Sequence, residues 1–135
     1  MQGFSGAQAP FGRARAEPGL SAQAAVVAKA LIRAADLLAV SGKELAAIIG
    51  LSEASLSRLK RGSDAALTGK PYELALLFVR LYRSLDAIMG GDDEAAKAWL
   101  RADNSALGGK PLDRIKTIDG LADVLAYLDA RRAPV

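Results

Sequence analysis

Ser52, Glu53, Ala54, Ser57, Arg58, Lys60 and Arg61 fall within ten residues of one another in the stretch KELAAIIGLSEASLSRLKRG, Lys43 to Gly62. Residues three and four apart share a helix face, so hydroxyls and guanidinium groups at this spacing present one polar, basic surface. Its chemistry is recognition of a nucleic acid. Arg pairs bidentately with a guanine edge, while Lys and Arg hold register by contacting phosphates. Ser57 and Arg58 are the candidates for base edges, and Lys60, Arg61 and Lys43 for phosphates. Ser52, Glu53 and Ala54 complete the N-terminal, groove-facing end. The charge excess is modest: from Ser41 to Gly62, Lys43, Arg58, Lys60 and Arg61 stand against Glu44 and Glu53. Glu53 repels phosphate, although a carboxylate can accept from cytosine.

Covalent and metal chemistry find little to work with. The chain has no Cys and no His, which removes thiolate ligands, disulfides, the usual general base and the commonest metal ligand. No catalytic residue, metal or cofactor is expected, and the chain is not expected to be an enzyme. The glycines of Leu107-Gly108-Gly109 follow no strand and precede no Lys-Ser/Thr pair, so they do not form a phosphate cradle. Net charge is +3 over 135 residues, too small for a protein that coats nucleic acid. No apolar run is long enough for a bilayer and no signal peptide is present, so the cytoplasm is the expected location.

These residues need short, well-capped helices to hold them. Apolar residues make up 51% of the chain but aromatic residues only 5%, an Ala- and Leu-rich bias that favours helix throughout. Residues 1–19 carry Gly and Pro without helical period and are expected to be a flexible leader, whose Arg13 and Arg15 are an alternative DNA arm. Ser21 is the expected N-cap of a first helix running to about Val40, with Val27, Leu31, Ala34 and Leu38 on one face. Ser41 with Glu44 forms a capping box for a second helix that stops at Gly50, and Ser52 caps a third. Ala46 allows close approach, Gly50 supplies the turn, Leu51 plugs it, and Leu45, Ile49, Leu56 and Leu59 point inward. That is the pattern of a helix-turn-helix; two ordinary amphipathic helices joined by glycine are the alternative.

Pro71 opens a fourth helix with an apolar stripe of Leu74, Leu77, Phe78, Leu81, Leu85 and Ile88, widened by Leu76, Val79 and Tyr82. So broad a stripe is either central core or a subunit interface. Asp92 or Asp93 opens a short helix with Trp99 and Leu100. Pro111 starts a helical turn through Ile115, and Thr117 caps a last helix lined by Ile118, Leu121, Leu125 and Leu128.

The run Ala98 to Arg132 resembles the toxin-binding domain of the Xre/MbcA/ParS antitoxin family. It does so at Trp99-Leu100, Asn104, Leu107-Gly108-Gly109, Pro111-Leu112, Thr117, Gly120-Leu121 and Val124. The preceding helix-turn-helix resembles that family's N-terminal half. The resemblance implies a RES-type, NAD-consuming toxin as partner, its active site covered by this chain's C-terminal region. It also implies repression of the chain's own operon through operator DNA, and a homodimer within a larger complex. The implied toxin-binding residues are Trp99, Asn104, Leu107, Gly108, Gly109, Pro111, Leu112, Arg131, Arg132 and Val135.

The expected protein is therefore all-α, with a leader (1–19), a helix-turn-helix and dimerisation module (20–90) and a small helical toxin-binding module (91–135). Deleting Leu112 to Val135 is expected to abolish toxin neutralisation while leaving most helix intact. A helix-turn-helix adaptor without a DNA target, or a plain regulator without a toxin, remains the alternative.

Overall fold

The computed structural model describes residues 17–132, with side chains from Ala22 onward. Arg13 and Arg15 of the expected leader, and Val135, lie outside the described residues. Among the described residues seven α-helices follow one another: α1 (Glu17–Leu37), α2 (Gly42–Ile49), α3 (Glu53–Lys60), α4 (Gly69–Ile88), α5 (Asp93–Arg101), α6 (Pro111–Arg114) and α7 (Ile118–Arg132). A 3₁₀ turn at Ser105–Leu107 separates α5 from α6. Among the described residues there is no strand, only an isolated bridge between Asn104 and Gly109. The fold is all-helical, as the composition and periodicity require.

One boundary differs from expectation. Helix α1 is already formed at Glu17, the first described residue, so Ser21 lies inside it rather than at its cap.

The other caps form as their residues dictate. Ser41 Oγ accepts from the Glu44 N–H and Glu44 Oε1 accepts from the Ser41 N–H, both at 3.1 Å. Gly50 takes φ +74°, and the next N–H, of Leu51, returns to the Ala46 carbonyl at 3.0 Å. Helix α1 ends by the same reversal, but with Ala39 at φ +55° where a glycine would fit without strain. The Val40 N–H closes onto Ala35 at 2.8 Å, and Arg101 of α5 donates to the Ala39 carbonyl at 2.7 Å. Two hydrogen bonds thus hold a conformation that costs an alanine about 1–2 kcal/mol.

Helix α4 lies at the centre, packed against α1, α2, α5 and α7. Its Leu74, Ala75, Phe78, Leu81 and Leu85 are buried in one continuous cluster with Leu31, Leu38, Leu45, Ile49, Leu121, Val124 and Leu128. The stripe that left core and subunit interface open is therefore core. Leu76 escapes it and remains exposed, as do Val26 on α1 and Ile118, which was expected to line α7 with Leu121, Leu125 and Leu128 but sits at its first position facing solvent. Because α7 packs against α4 and its Leu121, Val124 and Leu128 belong to this core, removing residues from Leu112 onward would open the core as well as remove any partner surface. Point substitutions are the informative variants.

Helix α7 is fixed at both ends. At its start Thr117 Oγ1 accepts from the Gly120 N–H at 3.1 Å, and Gly120 crosses the end of α6 so closely that a Cβ would lie 1.8 Å from the Arg114 carbonyl oxygen. At its end Asp129 pairs with Arg80 of α4 and accepts from Ser84 Oγ at 3.3 Å, while Arg132 donates to the same hydroxyl at 3.1 Å. Ser84 is fully buried, and these two partners satisfy it.

Two substitutions should move stability in opposite directions in urea denaturation. Gly120→Ala forces the α6–α7 crossing apart and should cost about 3 kcal/mol or more. Ala39→Gly relieves a left-handed alanine at some cost in chain entropy and should gain about 0.5–1 kcal/mol.

Candidate functional site

Two surfaces carry side chains that the core does not use. The first is the outer face of α3. Leu56 and Leu59 anchor this helix, leaving Ser52, Glu53, Ala54, Ser57, Arg58, Lys60 and Arg61 exposed, with Lys43 exposed on α2. The predicted reading surface is thus assembled on one side, but its members are not equivalent. Ser52 Oγ accepts from the Ser55 N–H at 3.0 Å, so that residue caps the helix. Glu53 sits in the first turn, where a carboxylate complements the helix dipole.

The arginines are each held by a serine. Arg58 Nη2 donates to Ser55 Oγ at 3.0 Å, and Arg61 Nη1 donates to Ser57 Oγ at 2.8 Å. A guanidinium has five N–H donors, so each Arg keeps a free edge for a second acceptor. Lys60 instead turns toward α2: its Nζ lies 3.4 Å from where a Gly42 Cβ would stand. Ser55 was missed from sequence because a half-buried serine beside a cap carries no distinct signal; only its three-residue spacing to Arg58 hinted at it.

The second surface belongs to α5, the 3₁₀ turn, α6 and α7. Trp99 is half-buried, with its ring 6.0 Å from that of Tyr127 on α7, and the Arg131 guanidinium lies 3.5 Å from the Tyr127 ring centroid. Asn104 closes the loop: its Oδ1 accepts from the Leu107 N–H at 3.2 Å, and its backbone pairs with Gly109 in both directions. Gly108, at φ +75°, makes that reversal possible. Leu107, Pro111 and Leu112 are buried, so they set the shape of the loop rather than projecting from it. Arg132 is turned back onto α4. Of the ten residues expected at this surface, Arg131 is the one charged side chain that points away from the core, and Val135 lies outside the described residues.

Beside Arg131 runs an open groove of about 540 Å³, bordered by Leu107, Arg114, Ala126, Tyr127 and Ala130. Arg114 is fixed there by bonds from Nε to the Leu107 carbonyl at 2.8 Å and from Nη2 to Asp123 at 2.6 Å. Sequence gave no reason to single out Arg114, Tyr127 or the two alanines, because their juxtaposition needs three elements folded together.

The two surfaces are joined by more than α4. Lys116, beside the α7 cap, lies 3.9 Å from the second carboxylate oxygen of Glu44, whose first oxygen caps α2. Among the described residues no cluster of three acidic side chains is placed to hold a metal ion, and no helix is long and apolar enough to cross a membrane.

Comparison with known protein families gives two matches. Residues 18–80 match the antitoxin Xre-like helix-turn-helix domain. Residues 84–133 match the antitoxin Xre/MbcA/ParS C-terminal toxin-binding domain. The second match begins within α4, the helix that both halves share. No curated protein matches the chain.

Tyr127 is the platform for both Trp99 and Arg131. Tyr127→Ala should cost about 1–2 kcal/mol in urea denaturation and shift the emission of Trp99, the single tryptophan, to longer wavelength.

Proposed function

The chain belongs to the Xre/MbcA/ParS antitoxin family, and on that footing we propose that it neutralises a RES-type, NAD-consuming toxin by covering the toxin's active site. In the same reading it represses its own operon by binding promoter DNA through α3, acts in the cytoplasm and performs no catalysis itself. The observation that carries this is the pairing, on one chain, of an Xre-like helix-turn-helix match with a toxin-binding match. The exposed serines and arginines of α3 support the DNA half: Arg58 for a base edge, Arg61 with Lys60 and Lys43 for phosphates.

Dimerisation belongs to the same proposal. A single short helix on a weakly basic protein binds DNA poorly, whereas two copies placing α3 helices about 34 Å apart would read both halves of an operator. The Leu74–Leu85 face is unavailable for that contact, which directs attention to the exposed Val26 and Leu76. Glu53 at the groove-facing end favours the alternative, an adaptor that keeps the helix-turn-helix fold without a DNA target.

Each half has its own test. Co-expression with a RES-fold toxin encoded in the same operon should yield a co-purifying complex and abolish NAD consumption; an operon without such a gene, or a toxin left fully active, overturns the neutralisation reading. A duplex selected by the wild-type chain from a randomised library should bind with steep salt dependence. Arg58→Ala should weaken it by about 1–3 kcal/mol. Absent or salt-insensitive binding favours the adaptor.

A further inference from the structure

Three guanidinium groups stand along α7 in the toxin-binding half, Arg114 toward its start and Arg131 and Arg132 at its end, and their environments set them apart. Arg132 donates to the buried Ser84 hydroxyl. Arg114 is held by Leu107 and Asp123, so it forms a fixed wall. Arg131 rests on the Tyr127 ring, with a single long hydrogen bond of 3.4 Å to the Tyr127 carbonyl. Among the described residues no carboxylate pairs with it.

The groove between Arg114 and Arg131 is lined by the exposed methyl groups of Ala126 and Ala130 and by the small part of Leu107 that remains uncovered. Ala122, Ala126 and Ala130 follow at four-residue spacing and are all exposed, so no long side chain stands between this face of α7 and an incoming backbone. An apolar floor beside a cation with unused donors matches one kind of occupant: a polypeptide segment bearing a large apolar side chain and a nearby carboxylate. The groove lies wholly within the segment that matches the toxin-binding domain. Of the exposed large apolar side chains, Val26 and Leu76 lie in the other half of the chain, and Ile118, at the start of α7, does not line the groove.

We infer that this groove is the docking site for the toxin, seating an apolar toxin side chain on Leu107, Ala126 and Ala130 while a toxin carboxylate pairs with Arg131. The inference rests on the toxin-neutralising reading above and gives it an address and a chemistry. The Arg131 guanidinium, already flat on Tyr127, is pre-organised, so little side-chain freedom is lost when it pairs. Arg114 and Asp123, neutralised by each other, shape the far wall without repelling either charge.

The test is calorimetric titration of the full chain with a purified RES-fold toxin encoded in the same operon. Ala126→Phe fills the groove from an exposed position, and Arg131→Glu reverses the cation. Each should weaken binding at least about 30-fold while the helical circular-dichroism spectrum at 25 °C and the DNA affinity are retained. The Arg131→Glu loss should shrink in about 1 M salt and the Ala126→Phe loss should not, and Arg131→Lys should fall between wild type and Arg131→Glu, because an ammonium keeps the charge but not the stacking or the fork of donors. If the wild-type chain binds the toxin and both variants bind equally well, the groove is not the docking site. A loss with Ala126→Phe alone overturns the carboxylate partner. If Ala126→Phe changes only the self-association of the chain, the groove is a contact between two copies and the toxin assignment falls. A wild-type chain that binds no toxin removes the underlying reading, and this inference with it.

Discussion

Helix α4 cannot be made soluble from one side only. Its apolar residues cover most of its circumference, and a single neighbouring helix would leave at least one strip of leucine and phenylalanine in water. Burial of each such side chain contributes about 1.5–3 kcal/mol, so the chain gains by wrapping α4 completely. Helices α1 and α2 take one side, α7 another, and α5 a small part of the rest. Phe78, Leu81 and Leu85 are left with no exposed surface. The two halves that the family matches distinguish are consequently one core, and the start of the second match inside α4 reflects that sharing.

This arrangement decides where function can sit. A face needed to close the core is unavailable to a partner, which is why the broad stripe of α4 drops out as a subunit interface. The surfaces left over include the outer face of α3 and the outer face of α7 with its loop, besides the exposed Val26 and Leu76. The face of α3 consists of small or polar side chains, and that of α7 adds Tyr127 and Ile118 to them. Their polar groups are pre-positioned by local bonds: Ser55 holds Arg58, Ser57 holds Arg61, and Tyr127 supports Arg131. Such contacts contribute little to folding at an exposed site, but they reduce the freedom lost when a ligand arrives.

Polar ties cross the core's edges in a way that joins the two surfaces. Arg101 reaches from α5 to the strained end of α1, just before the α2 cap, and Lys116 approaches Glu44 within that cap. At the opposite end Arg80, Ser84, Asp129 and Arg132 fasten α7 to α4. Ser84 shows the usual condition for a polar group in such a place, since both the donor and the acceptor capacity of its hydroxyl are met. The strain at Ala39 is tolerated because its carbonyl and the next N–H are both engaged.

Sequence alone determined what depends on near neighbours. The caps at Ser41, Ser52 and Thr117, the turn at Gly50, the all-helical class and the serine- and arginine-bearing face of α3 follow from spacings of three and four residues. The positions between Trp99 and Val124 were singled out by their resemblance to the family's toxin-binding domain, and Gly108, Gly109 and Pro111 also by the turns they mark. Tertiary structure decided what depends on distant residues meeting. The character of the α4 stripe was open until α1 and α7 were seen to cover it. The requirement for glycine at Gly120 comes from the Arg114 carbonyl of another helix, and the commitment of Arg132 from a serine on α4. Arg131 became distinct from Arg132 in the same way, for adjacent arginines on a helix point about 100° apart. One meets the core, and the other remains beside a groove that the linear sequence did not reveal.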